Sequence, residues 1–210
     1  MSQIYKVVGP VFEQVLHTYD DSHKQAFKLY HSANLEVEQQ LDVGISLGSL
    51  QSDREAIARF TALSFNNNDV HLYSDNNGLL MHKRTQQVNN FIPANYYPMV
   101  YQAYLSDGVK ELLAITDRTI GVGTLQAGEV EFMLHRRCSQ DDGRGVGEAL
   151  DDTSVTTPHL FFYLGSAASV ETLRPRLAIT HQHKPVPFYG TLKGGKKKKL
   201  VFLLIENKKQ

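Results

Sequence analysis

The sequence predicts an all-β chain folded as a large antiparallel β-sandwich, and three observations lead there. Apolar and polar residues alternate with a period of two in most segments. Turn-forming residues recur at roughly 8–20 residue spacing. Helical periodicity is scarce. At 210 residues the chain can bury a core in one large or two small domains. With no internal repeat and no long linker, one β-domain is the economical reading.

The elements follow in order. Lys6 to Leu16 mixes β-branched and polar residues around Gly9-Pro10, which gives a strand, a break and another strand. Asp20-Asp21-Ser22 supplies turn chemistry, and Gln25 to His31 then alternates, with Phe27 and Leu29 on one face. Leu35, Val37 and Gln39 alternate with Glu36, Glu38 and Gln40, as in a half-buried strand. Asp53 to Leu63 fits both periods, and its β-rich neighbours favour a strand. Val70–Tyr73 and Leu79–Lys83 flank Asp75-Asn76-Asn77-Gly78; Asn-Gly between apolar runs is the strongest short-range hairpin signal. Val100–Leu105, Glu111–Thr116, Glu129–Leu134 and Leu160–Leu164 read as four more strands. Turns are expected at Ser106-Asp107-Gly108, Gly121–Gly123 and Ala127-Gly128. Pro175 and Pro185 make the stretch from Val170 onward irregular.

Composition narrows the function. With 41% hydrophobic and 21% charged residues, the chain is neither collagen-like nor coiled-coil nor wholly disordered. A single cysteine, Cys138, excludes an intramolecular disulfide framework and a cysteine-cluster zinc site. No run of about 18 apolar residues is present to span a membrane, and the N-terminus lacks the apolar core of a signal peptide. The zero net charge is uneven: residues 193–210 carry +6 and the remainder −6. An acidic body argues against nucleic acid as a partner, because phosphate binding needs a basic face. The Lys196–Lys199 run reads as a solvated or aberrant tail.

Chemistry concentrates between His135 and Glu148. Gly143, Gly145 and Gly147 give a backbone able to adopt positive φ and approach a ligand closely. Arg144 stands between two of them and presents five donors in a planar fork. Asp141, Asp142 and Glu148 are near enough in sequence to clamp that guanidinium or to accept bonds from sugar hydroxyls. The other reading is a surface turn whose ions satisfy one another. Asn95-Tyr96-Tyr97-Pro98 could line a carbohydrate cleft, or serve as packing ahead of a strand. His181-Gln182-His183 is the one close histidine pair, without an adjacent carboxylate. There is no Gly-x-Ser-x-Gly elbow, and carboxylate spacing identifies no glycosidase acid–nucleophile pair.

A family resemblance rests on five motifs in order: Tyr73-Ser74-Asp75-Asn76-Asn77-Gly78-Leu79, Ala94-Asn95-Tyr96-Tyr97-Pro98, Leu113-Ala114-Ile115-Thr116-Asp117-Arg118, Leu125–Arg137, and Asp141-Asp142-Gly143-Arg144-Gly145-Val146-Gly147-Glu148. Together they resemble the C-terminal β-region of family 38 glycoside hydrolases, the retaining α-mannosidases, over roughly residues 5–190. His135-Arg136-Arg137 and the Asp-Asp-Gly-Arg run look like the lysosomal branch. Gly121-Val122-Gly123-Thr124-Leu125 departs from the family pattern.

The resemblance implies a galactose-mutarotase-like sandwich, complete or truncated, over residues 1–190, with an irregular, Lys-rich tail at 191–210. It implies that the zinc ion and the catalytic aspartate of such enzymes belong to an N-terminal barrel, so no catalytic or metal-ligating residue is expected in this chain. The expected partners are an α-mannoside or N-glycan oligosaccharide and that catalytic domain, with the lysosome as the parent's compartment. Arg144 is the residue carried over as contacting substrate, with Asp141, Asp142, Gly143, Gly145 and Glu148 as its supporting loop. The alternative is a non-catalytic structural or interaction β-sandwich.

Overall fold

The computed structural model describes residues 2–31, 40–63, 65, 69–88, 91–145, 147–184 and 186. Strands β1 (Gln3–Val8), β2 (Phe12–Thr18), β3 (His23–Tyr30), β4 (Gln40–Leu47), β5 (Arg54–Thr61), β6 (His71–Asp75) and β7 (Met81–Thr85) come first. Then follow β8 (Tyr96–Met99), β9 (Gln102–Ser106), β10 (Lys110–Thr116), β11 (Ile120–Gly123), β12 (Glu129–Arg137), β13 (His159–Ser166) and a helix, α1 (Ala167–Gln182). The strands form two antiparallel sheets, one ordered β1-β2-β3-β4-β13-β10-β9-β6-β7 and the other β5-β12-β11-β8. The all-β sandwich is therefore the fold.

Period-two alternation builds the core between the sheets. Val43, Ile45 and Leu47 of β4, Leu160 and Phe162 of β13, and Val130, Phe132 and Leu134 of β12 point into it. Phe132 is wholly buried. Its ring lies 6.0 Å from Phe60 and 5.9 Å from Phe162, joining both sheets through edge contacts.

The motif residues mostly build this frame. Asp75 is fully buried, and its carboxylate accepts the backbone N–H groups of Val100, Tyr101 and Gln102. Gly78 takes the positive φ that the Asn-Gly hairpin turn requires. Asn95 is buried and its side-chain oxygen accepts the Gln87 N–H at 2.7 Å. The Tyr96 hydroxyl donates to buried Glu131, and the Arg84 guanidinium covers the Tyr97 ring. Asp75, Asn95 and the Tyr96 hydroxyl thus serve the frame.

Three expectations are corrected. Gly121–Gly123 is strand, not turn: β11 pairs with β12 and β8. A Cβ on Gly123 would meet the Asn95 backbone carbonyl at 2.8 Å, so glycine is demanded there, whereas one on Gly121 would meet the Met133 sulfur at 2.8 Å and displace that flexible side chain. Tyr96–Pro98 lies within β8 instead of preceding a strand. The stretch from Val170 is helix α1, despite Pro175 inside it. Ser166 caps it by accepting the Ser169 N–H. Val170 and Leu177 pack on Leu113, Ile115, Phe161 and Tyr163, covering the outer face of the larger sheet. That burial offsets the hydrogen bond lost at proline. The strand expected at Leu35–Gln39 and the tail at 191–210 lie outside the described residues.

Candidate functional site

The chain passes from β12 in the smaller sheet to β13 in the larger one through a long loop, residues 138–158, at one end of the sandwich. Its neck is closed by the Cys138 N–H, which donates to the Leu150 carbonyl at 2.9 Å. The described residues between them belong to neither sheet.

The neck is held on both limbs. On the outgoing limb, Asp53 accepts the Ser139 backbone N–H at 2.8 Å and the Ser139 hydroxyl at 2.9 Å. The Arg137 guanidinium bridges Asp151 at 2.6 Å and the Leu50 carbonyl at 2.9 Å. On the returning limb, Leu47 and Thr156 exchange backbone hydrogen bonds, both 2.9 Å. Arg118 donates to the Thr157 carbonyl at 2.8 Å, and Asp117 accepts the His159 N–H at 3.1 Å. The Thr-Asp-Arg and His-Arg-Arg motifs thus converge on the loop's root.

Contact with the neck perturbs the carboxyl of Asp53. The hydrogen bonds from the Ser139 N–H and hydroxyl hold its carboxyl below the ordinary 3.8. A depressed carboxyl contributes while ionised, so this contact persists above pH ~4 and is lost as pH falls through the lowered value. An NMR pH titration should leave the Ser139 amide signal still from neutrality to about pH 4 and move it only below that. Movement between pH 6 and 5 would show that another group governs the neck.

The tip is open. Gly143, Gly145 and Gly147 have φ of +71°, +125° and +73°, the left-handed range that favours glycine. A Cβ at any of the three would meet nothing within 4 Å. Arg144 is exposed. Its backbone N–H donates to the Asp142 carboxylate at 3.0 Å, a local turn contact. Its guanidinium makes no hydrogen bond or ion pair with any described residue. Asp141 and Glu148 are exposed too and are not brought onto Arg144. Among the described residues Asp142 is the carboxylate that contacts Arg144, and the contact is to the backbone N–H.

Sequence reasoning passed over Asp53, Ser139 and Asp151, because their partners lie far along the chain. Two facts bear on other chemistry. Among the described residues no three His, Cys, Asp or Glu side chains are grouped as a metal ion would require. An open cavity of about 560 Å³ lies elsewhere, between α1 and strands β3, β4 and β13, and includes none of the loop's tip.

Comparison with known proteins gives four results. The family model described as "Glycosyl hydrolases family 38 C-terminal domain" matches residues 2–144, which takes in Arg144. The Homo sapiens "Epididymis-specific alpha-mannosidase" is 42% identical over 151 residues, covering 70% of this chain and 15% of that protein. The Dictyostelium discoideum "Lysosomal alpha-mannosidase" is 30% identical over 202 residues, covering 87% of this chain and 19% of that protein. The crystal structure of an alpha-mannosidase from Enterococcus faecalis V583 superposes with a TM-score of 0.66 at 13% identity, over 86% of this chain and 24% of that one. At that identity the likeness shows the fold alone. This chain spans less than a fifth of the length of the two curated relatives.

Proposed function

The chain belongs to family 38 of the glycosyl hydrolases, as a C-terminal domain, and on that premise we propose that it is the part of an α-mannosidase that grips the mannoside and closes the cleft. Its substrate is an α-mannoside or N-glycan oligosaccharide, and its partner is the catalytic domain of the same parent. Bond making and breaking belong to that partner.

One observation carries this reading: a guanidinium with no partner among the described residues stands between glycines on a tip whose root is pinned on both limbs. A pinned root with an open tip suits recognition. The arm arrives in one place, while the fork keeps its donors for an incoming ligand. A retaining glycosidase needs two carboxyl groups about 5 Å apart and support for an oxocarbenium-like transition state. Arg144 supplies neither carboxyl. It fixes the far side of the sugar, an orientation effect that removes wasted positions of the reacting bond. Asp142 serves by holding the Arg144 backbone, and Gly143 and Gly145 by allowing the turn.

The lysosome is the compartment we assign to the parent. The His135-Arg136-Arg137 form supports it, and lysosomal alpha-mannosidases from Dictyostelium discoideum and Homo sapiens are among the relatives, at 30% and 35% identity.

The division of labour is tested by assaying the 210-residue chain alone on an aryl α-mannoside with added zinc. No turnover above background is the expected result. Turnover comparable to a complete α-mannosidase overturns the division.

A further inference from the structure

The described residues hold one clear backbone oddity near the Arg144 loop, and it sits in the turn before β5, beside the loop's outgoing limb. Asp53 has φ of +60°, in the left-handed region that side-chain-bearing residues seldom enter. Asp and Asn tolerate that region better than most, at some cost in energy. Strain of this kind persists where something over-determines it. Here the determinant is visible. The strained turn aims the Asp53 carboxylate across to Ser139, 86 positions away in sequence. One carboxylate oxygen takes the backbone N–H, and the Ser139 hydroxyl lies within 3.0 Å of both.

We propose that Asp53 is a positioning residue for Arg144. It clasps the outgoing limb five residues before the arginine, and so fixes the direction in which the glycine-flanked tip leaves the sandwich. The proposal rests on the reading of Arg144 as the sugar-gripping group. Its reach differs from that of the other restraints. Arg137 binds the closing side of the neck at Asp151, and Arg118 binds the returning limb at Thr157. Asp53 holds the limb at the point nearest Asp141, Asp142 and Arg144, two residues beyond the Arg137 anchor at the Leu50 carbonyl. Gly143, between the clasp and the arginine, would otherwise let small errors at the root grow into large displacements of the guanidinium. A misplacement of about 1 Å can cost about 100-fold in rate.

Two variants separate the carboxylate from the backbone. Asp53→Gly removes the carboxylate and relieves the positive φ, so the turn itself is not strained further. Asp53→Asn tolerates the same φ and retains one acceptor oxygen. Amide hydrogen exchange on the full 210-residue chain reads the clasp without reference to any sugar. For Asp53→Gly the Ser139 and Cys138 amides are expected to exchange at least about 10-fold faster, with Asn restoring part of the protection and β12 core amides such as Phe132 unchanged. Unchanged exchange at Ser139 overturns the proposal, and so does equal acceleration in the core, which would make Asp53 a general fold residue.

The second arm uses an α-mannosidase carrying this segment, with kinetics of Asp53→Gly, Arg144→Ala and the double variant. If Asp53 works through Arg144, its effect disappears in the Arg144→Ala background, a non-additivity expected of coupled groups. Full additivity, or an active Asp53→Gly beside an impaired Arg144→Ala, overturns the positioning role. An Arg144→Ala enzyme of normal rate overturns the reading beneath it, and the exchange data then show separately whether the clasp exists.

Discussion

Replacing Arg144 by alanine in an α-mannosidase that carries this segment is expected to lower kcat/KM about 10–100-fold, or roughly 1.4–2.7 kcal/mol of transition-state stabilisation. The size follows from what alanine removes. A charged, planar donor set is worth more than a neutral hydrogen bond, and its loss leaves sugar oxygens without their partner in a closed site. Folding should be untouched, because the side chain is exposed and bonds to no described residue. Arg144→Lys separates charge from shape: it keeps the cation, loses the fork, and should recover part of the lost activity. The measurement is steady-state kinetics on an aryl α-mannoside beside a thermal melt of each variant. A full rate in the alanine variant removes the role from Arg144.

Phe132→Ala is expected to have the largest effect on stability, about 3–5 kcal/mol, because it removes a buried aromatic ring and leaves a cavity. Phe132 is fully buried and touches Phe60 on its own sheet and Phe162 on the other, so the loss falls where the two layers meet. At roughly 2–4 °C per kcal/mol for a chain of this size, the melting temperature should fall by about 6–20 °C. Phe132→Leu keeps most of the apolar volume and should cost clearly less. Calorimetry or a circular-dichroism melt checks both. Equal, small losses in the two variants would mean that the sheets are held together elsewhere.

The candidate site was half legible. The spacing of Gly143, Gly145 and Gly147 around Arg144 announces an exposed, conformationally permissive tip, because glycine's freedom is local. Nothing local announces Asp53. In sequence it is one more acidic residue in a turn, and its partner Ser139 is brought to it only by the pairing of β5 with β12. Asp141 and Glu148 illustrate the reverse case. Proximity in sequence suggests a clamp on Arg144, yet of the loop's carboxylates Asp142 makes the contact, and it does so at the Arg144 backbone N–H.

The raw material of the architecture was legible in local pattern. The period of two, the Asn-Gly hairpin and the ordered motifs depend on neighbours within a few residues, and they led to an antiparallel sandwich of family 38. That Gly121 and Gly123 serve a strand emerges on assembly, where β11 pairs with β12 and β8 and the Asn95 carbonyl lies over Gly123. The tertiary structure alone decided that Val170 onward is a helix, because the apolar bed on β10 and β13 outweighs the cost of Pro175. The stance of the Arg144 arm belongs with these. Hydrogen bonds between residues tens of positions apart set it, and no short-range pattern encodes a partner that arrives only when the sheets close.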